Sequence, residues 1–149
     1  MNIKQKIYNH YQQVIHDKVG MLQQLLADLK ESGSNETKST AGDKHETALA
    51  MLQIEQANAR VQLQEALTQK TIFEKIDPAI TATMIVNGSL IKTNRGYLYM
   101  SIALGKVVIE NIIVIALSPQ SPLGLKLVGL KVGGVARVNN LEYIIESIE

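Results

Sequence analysis

The 149-residue chain has no cysteine and no tryptophan, one phenylalanine, five tyrosines and three prolines. Without cysteine there is no disulfide, no thiolate metal site and no cysteine nucleophile. With aromatics at 4%, a stacking platform for nucleic-acid bases has little to be built from. Charge of one sign is also lacking: 15 basic residues stand against 14 acidic ones, for a formal net charge of +1. That excludes a strongly basic nucleic-acid wrapper and an acidic disordered tail, though not a local patch. No uncharged apolar run approaches the roughly 20 residues that span a bilayer. The first 22 residues mix Lys, Gln, His and Asp throughout, unlike a signal peptide. The expectation is a soluble, cytoplasmic protein that does not engage a membrane.

What is present is unevenly distributed. Up to Lys75 the chain holds 10 of its 11 Gln, 3 of its 10 Gly and no Pro; Val plus Ile number 8 there and 20 afterwards. The charges are balanced in both halves, 9 basic with 9 acidic and then 6 with 5, so the shift is one of conformational preference. Gln, Leu, Ala and Lys favour helix; β-branched residues punctuated by Gly and Pro favour strands and turns. The class expected is α+β: an N-terminal antiparallel helical hairpin over residues 1–75, its tip at about 31–46, then a small β-rich domain over 76–149.

In the first helix, about Ile3 to Lys30, Tyr8, Tyr11, Ile15, Val19, Leu22, Leu25 or Leu26, and Leu29 recur at spacings of three and four. In the second, about Lys44 to Glu74, Ala48, Met51 or Leu52, Ala59, Leu63, Ala66 or Leu67, and Phe73 make a narrower seam. Glu31 to Gly42 reads as a polar loop joining them. Twenty-eight helical residues give an arm roughly 40 Å long, which projects from a body and does not enclose an active site.

Asp77-Pro78 stops the helix. Strands are expected at Thr83–Val86, Ser89–Thr93, Tyr97–Leu104, Val135–Val138 and Leu141–Ile148, with Val107–Leu117 as a long central strand and Pro122 opening a short helix through Val128. Five or six mostly antiparallel strands would make a barrel or half-barrel.

All three histidines (His10, His16, His45) fall in the helical half, so a Ser-His-Asp triad inside the β-rich half is excluded. His10 and His16, six apart, lie on different helix faces and do not share a metal. No GxGxxG, Walker A or HExxH pattern occurs. The informative cluster is Gly42-Asp43-Lys44-His45-Glu46-Thr47-Ala48, where the loop meets the second helix. Asp43 and Glu46 suit the N-cap and N3 positions of a capping box and the positive end of the helix dipole. They also sit at the tip of the arm, where carboxylates can be delivered into another molecule's cavity. The two roles are compatible, because a cap also fixes the side chains.

Two segments resemble the Gre family of bacterial transcript-cleavage factors. Gly42, Asp43, Glu46 and Ala48 fit the family's Gly-Asp-x-x-Glu-x-Ala, with Thr47 where the family has Asn. Ser121-Pro122-Leu123-Gly124-Leu125-Lys126-Leu127-Val128-Gly129 aligns with its Ser-Pro-Ile-Ala-Arg-x-Leu-Ile-Gly, with Leu125 in place of Arg. The order of parts also matches, down to a final Tyr-Ile-Ile-Glu-Ser-Ile strand, although the tip loop here looks longer. The resemblance implies an FKBP-like C-terminal domain that docks on RNA polymerase through Ser121, Pro122 and Lys126, and a hairpin that enters the secondary channel. Asp43 and Glu46 would then share a Mg²⁺ with the polymerase and stimulate its cleavage of backtracked RNA. On this view the chain is not itself an enzyme, binds no cofactor stably and meets RNA only within the polymerase complex. An FKBP-like fold does not bring prolyl isomerase activity, since Tyr97, Tyr99 and Tyr143 are the half's only aromatics. Two alternatives stand beside cleavage stimulation: a secondary-channel regulator without cleavage, and a helical-hairpin adaptor for another protein.

Overall fold

A computed structural model describes residues 2–36 and 43–149. The order of elements is α1 (Ile3–Glu36), α2 (Asp43–Glu74), β1 (Leu90–Thr93), β2 (Gly96–Met100), β3 (Gly105–Ile109), β4 (Ile112–Leu117), α3 (Pro122–Leu127), β5 (Val135–Val138) and β6 (Leu141–Ile148). The chain is α+β, a long packed helical pair followed by a six-stranded sheet. Among the described residues no helix is long and apolar enough to cross a membrane. Contacts divide the chain into two units, Val14–Lys70 and Met1–Gln13 with Thr71–Glu149. The composition boundary after Lys75 and the contact boundary therefore fall at different places.

The helical unit is antiparallel. Gln56 Nε2 donates to the Leu29 carbonyl at 3.1 Å, and Lys18 Nζ reaches Gln69 Oε1 at 3.5 Å. Ile15, Val19, Leu22 and Leu29 of α1 are buried, as are Ala59 and Ala66 of α2. Where the spacing left a choice, Leu26, Leu52 and Ala66 turn inward, and Leu25 and Met51 are exposed. Alanine on the α2 side lets the helices approach closely, and the bulk comes from α1. Glu31–Glu36, expected as loop, is the last turn and a half of α1. At Gly33 the approach of α2 is tight: a Cβ there would lie 3.3 Å from Gln56 Nε2. Helix in proteins is sustained more by packing than by propensity.

In the second unit the sheet runs β3-β4-β2-β1-β6-β5. It is open, not a barrel, with β2–β4 its one parallel pair. Three sequence expectations are corrected. Val107–Leu117 is not one central strand but the hairpin β3–β4, with β3 at the sheet edge. Glu110 and Asn111 turn it at φ 51° and 66°, the two-residue geometry that matches strand twist. Residues 83–86 contribute only the bridge Met84–Lys131. Strand β2 stops at Met100.

One sheet face is covered by α3. Ile85, Ile91, Leu98, Met100, Leu117, Leu127, Ala136 and Ile145 form its core. The other face receives the opening turns of α1. Tyr11 stacks on Tyr99 (6.2 Å between centroids, 5° between planes), and its hydroxyl donates to the Gly105 carbonyl at 2.8 Å, with the Val114 carbonyl at 3.3 Å. Tyr8 stacks on Phe73 at 4.7 Å, Lys4 Nζ donates to the Ile80 carbonyl at 2.8 Å, and Lys6 pairs with Glu110. Burial lowers the Lys4 ammonium pKa, against the pull of Glu149 and Asp77.

The two central tyrosines differ in one respect. The Tyr11 hydroxyl is bonded, whereas the buried Tyr99 hydroxyl has no hydrogen-bond partner among the described residues. Tyr11→Phe therefore costs about 0.5–1.5 kcal/mol in chemical denaturation, and Tyr99→Phe is neutral or stabilising. Burial pushes the Tyr11 phenol up to about 12 and raises Tyr99 as well. The folded state thus keeps protons that the unfolded chain loses above about pH 10. Stability is full below that pH and falls as pH rises towards 12. In Tyr11→Phe the fall becomes shallower; an unchanged slope in an alkaline denaturation series would contradict this.

Candidate functional site

Two regions carry the residues singled out from the sequence, and each is built within its own unit. In the helical unit Asp43 is the first residue of α2, and Glu46 lies exposed one turn later. The Asp43 side chain and the loop that precedes it, including Gly42, lie outside the described residues. An i, i+3 spacing at the start of a helix puts both positions on one side of the first turn, beside the unpaired amides. Two carboxylates, each binding through one oxygen, provide two of the six oxygens that Mg²⁺ takes. Among the described residues no group of three His, Asp or Glu could complete a metal site. A Mg²⁺ at Asp43 and Glu46 would therefore take most of its ligands from other groups. His10 and His16 are exposed on α1, with the His10 ring edge-on to Tyr11 at 5.5 Å.

The second region is the loop and helix from Ser118 to Gly129. Ser121 is the N-cap of α3: its Oγ accepts from the Gly124 amide at 3.0 Å and donates to the Ser118 carbonyl at 2.7 Å. Pro122 follows at the first helical position, where its missing N–H costs nothing. Leu127 is fully buried in the core and Leu123 packs against it, so α3 is anchored by one face. The opposite face presents Pro122, Leu125, Lys126 and Val128 to solvent, Leu125 at 67% exposure. Ser121 is thus a structural cap, and Pro122 and Lys126 are surface residues beside it.

Gly124 fixes the shape of this loop. A Cβ there would lie 2.0 Å from the Ser118 carbonyl oxygen and 2.9 Å from both Pro119 Cα and Ser121 Oγ. The Gre-like pattern has alanine at this position, so the loop here is tighter than that pattern allows. Where that pattern has arginine, this chain has the exposed Leu125, followed by Lys126.

Concave surfaces flank α3 on both sides. Lys126 borders an open hollow with Val135, Arg137 and Glu142, where Arg137 Nη2 and Glu142 Oε1 pair at 3.2 Å. On the other side, a cleft of about 390 Å³ is floored by Leu98, Leu117 and Leu123 and bordered by Pro122, Arg95 and Tyr143. The Arg95 guanidinium carbon lies 5.7 Å from the Tyr143 ring centroid, and Nε donates to the Glu142 carbonyl at 2.9 Å. From the sequence, Arg95 reads only as part of a turn. Its approach to Tyr143, 48 positions on, follows from the β1–β6 pairing and leaves no local signal.

A scan against family models finds no match, and searches of curated proteins and of solved structures find none either.

The Gly124 geometry gives a direct test. Gly124→Ala must displace the Ser118–Pro119 backbone and should cost about 1–3 kcal/mol by urea unfolding. Wild-type stability would show that the loop can open without penalty.

Proposed function

We propose that this protein is a Gre-like cytoplasmic transcription factor. It binds RNA polymerase through the secondary channel and places Asp43 and Glu46 near the polymerase active centre to stimulate cleavage of backtracked RNA. The observation that carries the reading is the placement of the two matching segments. One opens α2, with Glu46 exposed, and the other forms an exposed turn of helix with Pro122 and Lys126 outward. The chain's own part is to supply two carboxylates, at positions 43 and 46 in the first turn of α2. A Mg²⁺ bound there would supply charge neutralisation and an activated water. Exposed Lys126 contributes charge to docking, and Pro122, Leu125 and Val128 contribute apolar surface. One observation favours the regulator that binds without cleaving: the docking segment has Gly124 and Leu125 where the pattern has Ala and Arg.

Docking is checked by Lys126→Glu, which reverses one interfacial charge and should weaken polymerase binding without altering circular dichroism. Undiminished affinity would remove Lys126 from the interface. The carboxylates are checked by the double variant Asp43→Asn, Glu46→Gln. Asn and Gln keep the size and shape of Asp and Glu, so the main loss in the first turn of α2 is the charge–dipole term, about 0.3–1 kcal/mol per site. Amides are poor ligands for a hard dication. Cleavage in a halted elongation complex should collapse while polymerase binding persists. Cleavage by the double variant at the wild-type level would sink the catalytic reading, and cleavage by neither protein would leave the regulator.

A further inference from the structure

The cleft beside α3 is chemically one-sided. Leu98 and Leu117 belong to the core and make its floor, and Leu123, Ile115 and Pro122 wall it. Among the described residues Arg95 is the one charged group in the lining. Glu142, which precedes Tyr143 in β6, pairs with Arg137 and lies outside the cleft. Lys106 stands directly across the β3–β4 ladder from Ile115, so it adds a second cation to the same face of the sheet. Neither Lys106 nor Arg95 makes an ion pair among the described residues. An apolar cleft therefore lies in a positive field with no carboxylate of its own to answer it. The groove of the helical unit at Leu25 and Leu29 is the reverse case: Glu55 lines it and no cation does.

Arg95 is positioned before any ligand arrives. Its amide donates to Thr93 Oγ1 at 3.1 Å, and its Nε donates to the Glu142 carbonyl at 2.9 Å. Asn94, the residue before it, is tied to the same strand, accepting from the Ile144 amide at 2.8 Å. The donors on Nη1 and Nη2 remain, and they make no hydrogen bond among the described residues. A guanidinium held at Nε still offers its Nη pair as a planar fork, which matches the two oxygens of a carboxylate.

We propose that the cleft binds a small aliphatic monocarboxylate, its chain over Leu98, Leu117 and Leu123 and its carboxylate on the Nη groups of Arg95. Three features select this occupant. The cleft, about 390 Å³, is at the small end of the range of small-molecule sites. Its floor is aliphatic, and the ring of Tyr143, the one aromatic in its lining, already lies under Arg95, which leaves little for a flat ring to stack on. One guanidinium balances one negative charge, whereas a phosphate monoester brings nearly two. The inference is independent of polymerase binding.

Octanoate is the probe, titrated into methyl-labelled protein at fixed salt and followed by NMR. Saturable shifts should centre on the methyl groups of Leu98, Leu117 and Leu123, with a Kd below about 1 mM, and Leu25 and Leu29 should not move. Octanol, with the same chain and no charge, and acetate, with the charge and no chain, should each bind at least about tenfold more weakly. Arg95→Gln should lower octanoate affinity by a similar factor and leave octanol unchanged. Arg137→Gln, outside the cleft, should change neither. Ile115→Glu places a like charge at the mouth and should abolish octanoate binding. The methyl spectrum of each variant reports that its fold is intact. Absence of saturable shifts, as expected if the cleft receives only a partner protein's side chain, overturns the proposal. So do equal affinities for octanoate and octanol, undiminished octanoate binding by Arg95→Gln or Ile115→Glu, or shifts centred on Leu25 and Leu29.

Discussion

The sheet-bearing unit depends on one buried contact, Tyr11 against Tyr99 with its hydroxyl on the Gly105 carbonyl. It ties the start of α1 to β2 through the ring and to the β3–β4 hairpin through the hydroxyl, so three strands are referenced to one side chain. Tyr8 with Phe73 continues the layer and brings in the end of α2. Four of the six aromatic residues in the chain are consumed there. That use has a functional consequence. Only Tyr97 and Tyr143 remain for the opposite face and the rim of the sheet, and of these only Tyr143 lines the cleft beside α3. The cleft beside α3 therefore has a single aromatic side chain in its lining.

The opposite face shows how a surface feature is fixed from below. Leu127 and Leu123 hold α3 to the core; Ser121 caps it; Gly124 lets the Ser118 carbonyl come within a distance that no side chain would permit. Together these determine that Pro122, Leu125, Lys126 and Val128 face outward. An exposed aliphatic pair beside a proline and a lysine is what a protein partner can use, since apolar area supplies the driving force and the charge supplies orientation.

The helical seams were legible because a spacing of three and four is a global signal, repeated over eight turns. Its ambiguities, Leu25 against Leu26 and Met51 against Leu52, were resolved only by the partner helix. The β3–β4 hairpin was hidden by its own composition. Eleven residues from Val107 to Leu117 include nine aliphatics, and the interruption, Glu110-Asn111, lacks the glycine that usually announces a two-residue turn. Asparagine accepts a positive φ readily; glutamate does so here because the flanking strands have a good register to gain. Residues 83–86 failed as a strand for the converse reason, since their β-branched composition is spent on a bridge to Lys131 and on burying Ile85. The cleft beside α3 was not legible, because Arg95, Leu117 and Tyr143 meet only through sheet topology.

The two candidate regions arise from different constraints. Asp43 and Glu46 belong to the first turn of α2, which needs acceptors for its amides. Ser121 to Lys126 depend on the sheet, through Leu127 and the tight approach at Gly124. Each region is thus built from contacts within its own unit.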